Sequence, residues 1–303
     1  MKKLLIIVCL ACVLASCYDE FRVDNPTSAV AFSTADGGSG VVGVLHRSVV
    51  KDEGLKLEAG IYLAGILDNR KDRWADFVVD PSLMDNAAIK KLGYELMPAS
   101  YYTLSNPSRF EIKSGSTLGK VTIVLDSVKF LSDPKAVKNI YAIPFRLTAT
   151  SEDSILATQN TKIIVVKYIN HFSGFYDQTS VVTSFSADGV QKSKANVKNV
   201  LTFTTLSLDT VVANGMVNMI NTTKISAYEM KLVVNPDKSV KISNTAASAA
   251  NVIVPTGSNT YDPKTSTFVL NYKVVSANNS YQTASTTLVW RNRIRDGINE
   301  WRR

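Results

Sequence analysis

Carboxylates come first among the residues able to do chemistry. Glu53, Asp68, Asp72, Asp76, Glu95 and Glu152 would supply an acid and a base or nucleophile for glycoside hydrolysis if two faced each other across a scissile bond, roughly 5 to 9.5 Å apart. Each sits in a charged or turn-like stretch, where solvation accounts for it. The chain has two histidines, His46 and His171, and neither has a partner at metal-ligand spacing, which argues against a zinc hydrolase. No Gly-x-Ser-x-Gly elbow is present, Ser39-Gly40 and Ser114-Gly115-Ser116 being turn-forming pieces, and there is no phosphate-binding loop. No catalytic residue, metal or cofactor is therefore assigned, and a glycoside hydrolase is kept only as an alternative.

Binding chemistry is better represented. A sugar is held by an aromatic face against the apolar side of its ring and by planar amide, carboxylate or guanidinium groups on its hydroxyls. Of three tryptophans, Trp74 lies in Asp72-Arg73-Trp74-Ala75-Asp76, with charge on both sides. Trp74 and Arg73 are thus candidate ligand residues, although a tryptophan at a strand start also reads as core. Trp301 stands in an Arg-rich tail, where it would either stack on guanidinium groups or pin the tail to its own domain. Trp290 closes the apolar run Thr287-Leu288-Val289 and reads as core; Tyr176 and Tyr281 are further aromatic candidates.

The first residues concern placement. Lys2 and Lys3, the apolar run Leu4 to Val8, and Leu14-Ala15-Ser16-Cys17 before polar Tyr18-Asp19-Glu20 form a signal peptide of the lipoprotein kind, too short and wrongly flanked for a membrane span. Cys17 resembles the lipobox cysteine that is acylated after cleavage. The three cysteines, Cys9, Cys12 and Cys17, all fall in or at the end of this segment, so the mature chain can form no internal disulfide and no cysteine zinc site. Several acyl chains together hold a protein durably on a membrane. The charge of +8 loses two units with Lys2 and Lys3, and much of the rest sits in Arg291, Arg293, Arg295, Arg302 and Arg303. No nucleic-acid motif accompanies that basic tail, and no nucleic-acid partner is expected.

The elements that must position these residues are mainly strands. Lys120 to Leu125 and Lys162 to Tyr168 are β-branched and nearly continuous, the second reading as a buried central strand. Asn235-Pro236-Asp237-Lys238-Ser239 suits a turn between Leu232-Val233-Val234 and Val240-Lys241-Ile242. Tyr261 to Thr265 marks a second turn, before a strand with Phe268, Leu270, Tyr272 and Val274 on one face. One helix is predicted, from Pro81 to Leu92. Roughly 285 mature residues suggest two domains. The expected plan is a signal peptide over 1–16, a tether over 17–25, an immunoglobulin-like antiparallel sandwich over 26–168, and over 169–303 a second antiparallel β domain, either a sandwich or a lipocalin-like partial barrel.

Gly60-Ile61-Tyr62-Leu63-Ala64-Gly65, Phe77-Val78-Val79-Asp80, Tyr94 to Tyr102, Ile112-Lys113-Ser114-Gly115, Tyr141-Ala142-Ile143-Pro144-Phe145 and the ending Trp290 to Trp301 together resemble a family of Bacteroidota surface lipoproteins with an immunoglobulin-like domain of unknown function and a second β domain. The same motifs read as structure: Gly65 and Gly115 as turns, Pro98 and Pro144 as strand-edge or bulge residues, Tyr62 and Tyr141 as packing. The resemblance implies a role in capturing polysaccharides or oligosaccharides beside an outer-membrane transporter of the starch-utilisation type. It implies no particular ligand residue. Asp19-Glu20 after Cys17 is similar to the acidic signal that sends such lipoproteins to the outer face of the outer membrane, a periplasm-facing position being the alternative. Asp126-Ser127-Val128, Asp153-Ser154-Ile155 and Asp209-Thr210-Val211 resemble the short O-glycosylation acceptor of these bacteria, a pattern that chance also produces here. An adhesion or scaffold subunit is the remaining alternative.

Overall fold

A computed structural model describes residues 27–33, 43–214 and 228–301; Cys17, the signal and tether, Ser39-Gly40 and the Arg302-Arg303 end lie outside the described residues. The first domain is built from β1 (Ala29–Phe32), β2 (Val44–Val50), β3 (Lys56–Ala64), β4 (Arg73–Val79), β5 (Glu95–Leu96), β6 (Tyr102–Leu104), β7 (Arg109–Ile112), β8 (Leu118–Leu125), β9 (Tyr141–Thr150), β10 (Ser154–Ile155) and β11 (Thr161–Ile169). They form two sheets, in the order β10-β1-β3-β8-β6 and β2-β11-β9-β4-β7, with β5 beside β9. Facing positions explain why the sheets stack. Leu57, Ala59, Ile61 and Leu63 alternate inward from β3, Val121, Ile123 and Leu125 from β8, and they meet Phe77, Phe110, Phe145 and Tyr168 of the other sheet. Each buried Leu, Ile, Val or Phe among them contributes about 1.5 to 3 kcal/mol by leaving water. The first chain segment is shared between the sheets, β1 lying between β10 and β3 in one and β2 forming the edge of the other, with β1 parallel to β10 and β2 parallel to β11, as in immunoglobulin-like domains.

Strand β11 is apolar on both faces because both are covered. Ile164, Val166 and Tyr168 enter the sandwich core, while Ile163 and Val165 lie with Val44 and Ala142 under Ile89 and Leu83. That cover is the segment read as one helix, and the structure divides it. Pro81–Asp85 is a 3-10 turn started by the Asp80 side chain, and α1 (Ala87–Lys90) follows only after Asn86, whose backbone is extended at ψ 131° and whose side chain accepts from the Ala88 N–H at 2.9 Å. Asn competes with the helix by capping its own neighbours, so it splits a run that apolar spacing alone joins. Pro144 lies within β9, beside Asp80, where the β4 ladder ends.

The second domain comprises β12 (Gly174–Phe185), β13 (Gln191–Thr205), β14 (Thr210–Ala213), β15 (Met230–Val234), β16 (Val240–Asn244), β17 (Val252–Pro255), β18 (Thr260–Asp262), β19 (Thr267–Val275), β20 (Tyr281–Arg295) and β21 (Ile298–Trp301). One sheet carries them in the order β16-β15-β14-β13-β12-β20-β19-β17, with β18 on β19 and β21 on β20. A bridge between Ser239 and Thr260 draws the ends together into a nearly closed, lipocalin-like barrel. Tyr176, Phe203, Phe268 and Tyr261 pack ring to ring inside it. Both predicted turns are present: β15 and β16 flank Asn235–Ser239, where Asp237 accepts the Ser239 N–H at 2.9 Å, and Phe268, Leu270, Tyr272 and Val274 of β19 all face the core.

Where the domains meet, Glu53 in the β2–β3 turn receives Arg293 Nη2 at 2.9 Å and also Arg295, both of which bind Glu300. The Ser48 N–H donates to Asp296 at 3.0 Å, and His171 Nδ1 lies 3.0 Å from Asp52. No helix among the described residues is long and apolar enough to cross a membrane.

Candidate functional site

Strand β4 sends Ala75 and Phe77 into the sandwich and therefore Trp74, Asp76 and Val78 outward. Pairing with β7 sets Glu111 opposite Trp74 and Arg109 opposite Asp76. The Asp76 carboxylate takes Arg109 in a two-pronged grip, Nε to Oδ1 at 2.6 Å and Nη2 to Oδ2 at 3.0 Å, which lays the guanidinium over the indole at 4.2 Å from its centroid. Asp76 and Arg109 share one plane of hydrogen bonds, and the ion pair keeps the Arg109 guanidinium charged through and beyond neutral pH. Farther along the same face, Arg146 Nε donates to Asp80 at 2.5 Å, and hydrogen bonds from Ser82 and Arg146 hold that carboxyl below its usual range. The result is a ring fixed among planar donors and acceptors on an outward sheet surface, able to engage the hydroxyls and ring edge of a sugar.

Arg73 does not share that face. It points the other way from Trp74, with 11% of its side chain exposed, and pairs with Glu152, which is fully covered at 0%. Asn69 Oδ1 accepts from Arg73 Nε at 2.8 Å, while the Asn69 amide donates to Lys113 O and Ser116 O. Arg73 is thus a buried brace for the segment around Asn69 that leads into β4.

The other carboxylates of the sequence reading are likewise engaged: Asp68 with Arg70, Asp72 with Lys113 and the Ser114 N–H, Glu95 with Lys135, and Glu53 with Arg293 and Arg295. His46 Nε2 lies 2.8 Å from the Tyr94 hydroxyl. Among the described residues no group of three or more His, Cys, Asp or Glu is placed to hold a metal ion.

The other aromatic candidates divide by burial. Tyr176 is fully buried and its hydroxyl donates to Phe172 O at 2.9 Å, so it is core. Trp290 packs against the barrel core, its ring beside Gly174. Trp301 on β21 is 57% exposed, with the Arg291 guanidinium 5.8 Å from its centroid, but it lies in the other domain from Trp74. Tyr281 stands outside the barrel, stacked on Phe185 at 4.7 Å with Lys273 Nζ over its ring at 4.1 Å. Ser127 and Ser154 of the acceptor-like triplets are exposed, whereas Thr210 is buried.

A cleft of about 510 Å³ opens between β2 and β3, floored by Val49, Leu57 and Ile61 and rimmed by Arg47, Lys56, Lys120 and Glu58. Its floor is the sandwich core seen from the side. Arg109 and Glu111 are the partners of Trp74 that sequence reading did not assemble. A signal existed in the alternation Arg109-Phe110-Glu111-Ile112, which places both charges on one face, but nothing local says which strand lies alongside.

Two family models match the chain, one describing an N-terminal domain over residues 27–154 and one describing a C-terminal domain over 160–288. A crystal structure of a Bacteroides ovatus protein of unknown function is 24% identical with a TM-score of 0.69, covering 88% of this chain and 95% of that one. A second Bacteroides ovatus protein of unknown function is 14% identical at a TM-score of 0.49, over 90% of this chain and 100% of its own. An auxiliary nutrient binding protein from Bacteroides thetaiotaomicron is 16% identical at a TM-score of 0.46, covering 84% and 93%, and at that level of agreement its name says nothing about this chain. No curated protein matches the sequence. With both halves matched by the N-terminal and C-terminal domain models, and with its fold shared by a Bacteroides ovatus structure over nearly the whole length, the chain belongs to a family of two-domain β proteins.

Proposed function

We propose that this protein is a non-catalytic glycan-binding lipoprotein, anchored in the outer membrane through lipid on Cys17, facing the cell exterior and serving a starch-utilisation-type uptake complex. The observation that carries the binding role is Trp74, outward on a rigid sheet and set among Arg109, Asp76 and Glu111. Rings held by strands lose little freedom when a ligand lands, and the two-pronged ion pair leaves the outer edge of the Arg109 guanidinium for hydroxyl oxygens. Anchoring and exterior placement rest on Lys2-Lys3, the apolar run, Cys17 and Asp19-Glu20.

The test uses the full chain from Tyr18 onward, run through native gels containing plant or host polysaccharides, with reducing ends assayed in parallel. Retardation by one or more glycans without release of reducing ends is expected, and Trp74→Ala should weaken it at least ~10-fold. Release of new reducing ends would replace this reading with the hydrolase, and no retardation across the panel would leave the adhesion or scaffold subunit.

A further inference from the structure

The barrel carries a second surface of a different character. Along β12, the residues of even number enter the core and those of odd number face out, and register carries the outward set across four adjacent strands. Lys194, Thr183, Thr283 and Lys273 form one row, and Lys198, Thr179, Thr287 and Val269 another. Between them run Asn196, Val181 and Ser285. Among the outward positions of these strands the single carboxylate is Asp177, which lies toward the domain junction and faces Arg291 at 3.7 Å. No ion pair involves Lys194, Lys198 or Lys273 among the described residues, and Lys273 instead sits over Tyr281.

We propose that this outward face of β13-β12-β20-β19 binds a polyanionic polysaccharide, one bearing carboxylate or sulfate groups. The proposal uses none of the Trp74 site and stands independently of it. Lys194 and Lys198 are four residues apart, about 13 Å along a strand, and Lys194 and Lys273 are three strand spacings apart, about 14 Å. Cations at that separation match recurrent charges on an extended chain, and the hydroxyls and amide between them match its sugar hydroxyls. Charge complementarity thus selects the ligand class. A nucleic acid is the poorer fit, because single strands are held by bases stacking on open rings. Here Phe185 covers one side of Tyr281 and Lys273 lies over its ring. An anionic membrane is poorer still, because the large rings on this face, Phe185 and Tyr281, are stacked on each other and the positions between the lysines are polar or β-branched, leaving no free apolar side chain there to insert.

Retention of the full chain from Tyr18 on immobilised dextran sulfate, compared with neutral dextran, tests the proposal. Dextran sulfate should bind and neutral dextran should not, with affinity falling as salt rises from about 50 to about 300 mM. The triple variant Lys194→Gln, Lys198→Gln, Lys273→Gln should bind at least 10-fold more weakly with an unchanged melting temperature. A charge-matched control, Lys56→Gln, Lys120→Gln, Lys138→Gln in the first domain, should bind as the parent does, and so should Trp74→Ala. Equal loss in the control would reduce the effect to net charge and overturn the proposal. So would absence of binding, or tighter binding to a single-stranded oligonucleotide or to anionic vesicles than to dextran sulfate. Loss of neutral-glycan binding in Trp74→Ala concerns the other face and leaves this one untouched.

Discussion

Trp74 and Arg73 are neighbours in sequence and occupy opposite sides of β4, so one stands at a surface and the other inside a loop brace. The difference is measurable. Glu152→Gln strands the Arg73 guanidinium in a covered site, and a loss of about 3 kcal/mol is expected in urea unfolding, since breaking one half of a buried pair costs more than the pair contributes. Asp68→Asn removes an exposed pair with Arg70 and should change stability by less than about 0.5 kcal/mol. Arg109→Ala should impair glycan binding while leaving the fold intact, because it frees the Trp74 ring without opening the core. Trp74 was legible as a candidate from its charged neighbours. Its partner Arg109 lies 33 positions beyond Asp76, and Glu152 lies 79 beyond Arg73, so only strand pairing brings them together.

Turn chemistry was the most legible layer at the scale of the element. Asn235–Ser239 and Asp262–Thr265 contain Asp side chains that accept the backbone two residues on, a local interaction that needs no knowledge of the fold. Alternation also sorted β19 correctly onto its faces, and a buried central strand was legible in β11. The helix over Pro81 to Leu92 failed because apolar spacing does not register Asn86 as a cap. Two glycines separate a local demand from a tertiary one. Gly65 and Gly115 have φ of +81° and +82°, but a Cβ on Gly65 would lie 2.2 Å from Thr27 O, whereas one on Gly115 would meet nothing within 4 Å. Gly115→Ala should therefore cost about 1 kcal/mol from backbone strain alone, and Gly65→Ala at least ~3 kcal/mol, as β1 is pushed from its seat. Denaturant midpoints of the two variants compare them directly.

The whole molecule is joined through charge. Burial by itself would raise the Glu53 carboxyl, but hydrogen bonds and charge from Arg295 and Arg293 hold it below its ordinary 4.5; burial lowers His171 from 6.5 against the pull of Asp52. Both shifts have the same sign for stability. The unfolded chain takes up the His171 proton from 6.5 downward while the folded chain resists, so stability is full above 6.5 and declines as pH falls toward the lowered value; Glu53 repeats this below 4.5. Melting temperature should therefore fall between pH 7.5 and 5.5, and His171→Asn should flatten that fall. An unchanged slope would place the acid-sensitive group elsewhere. The pairing of β2 with β11, parallel and in register from Val44–Ile163 to Val50–Ile169, has a consequence in time. The two strands stand near opposite ends of the domain's sequence, so a long loop must close before their contacts repay it. Until then the first sandwich is an incomplete sheet with an unsatisfied edge, so this domain closes only when its last strand docks, and slowly, and a chain truncated before β11 has no way to close it.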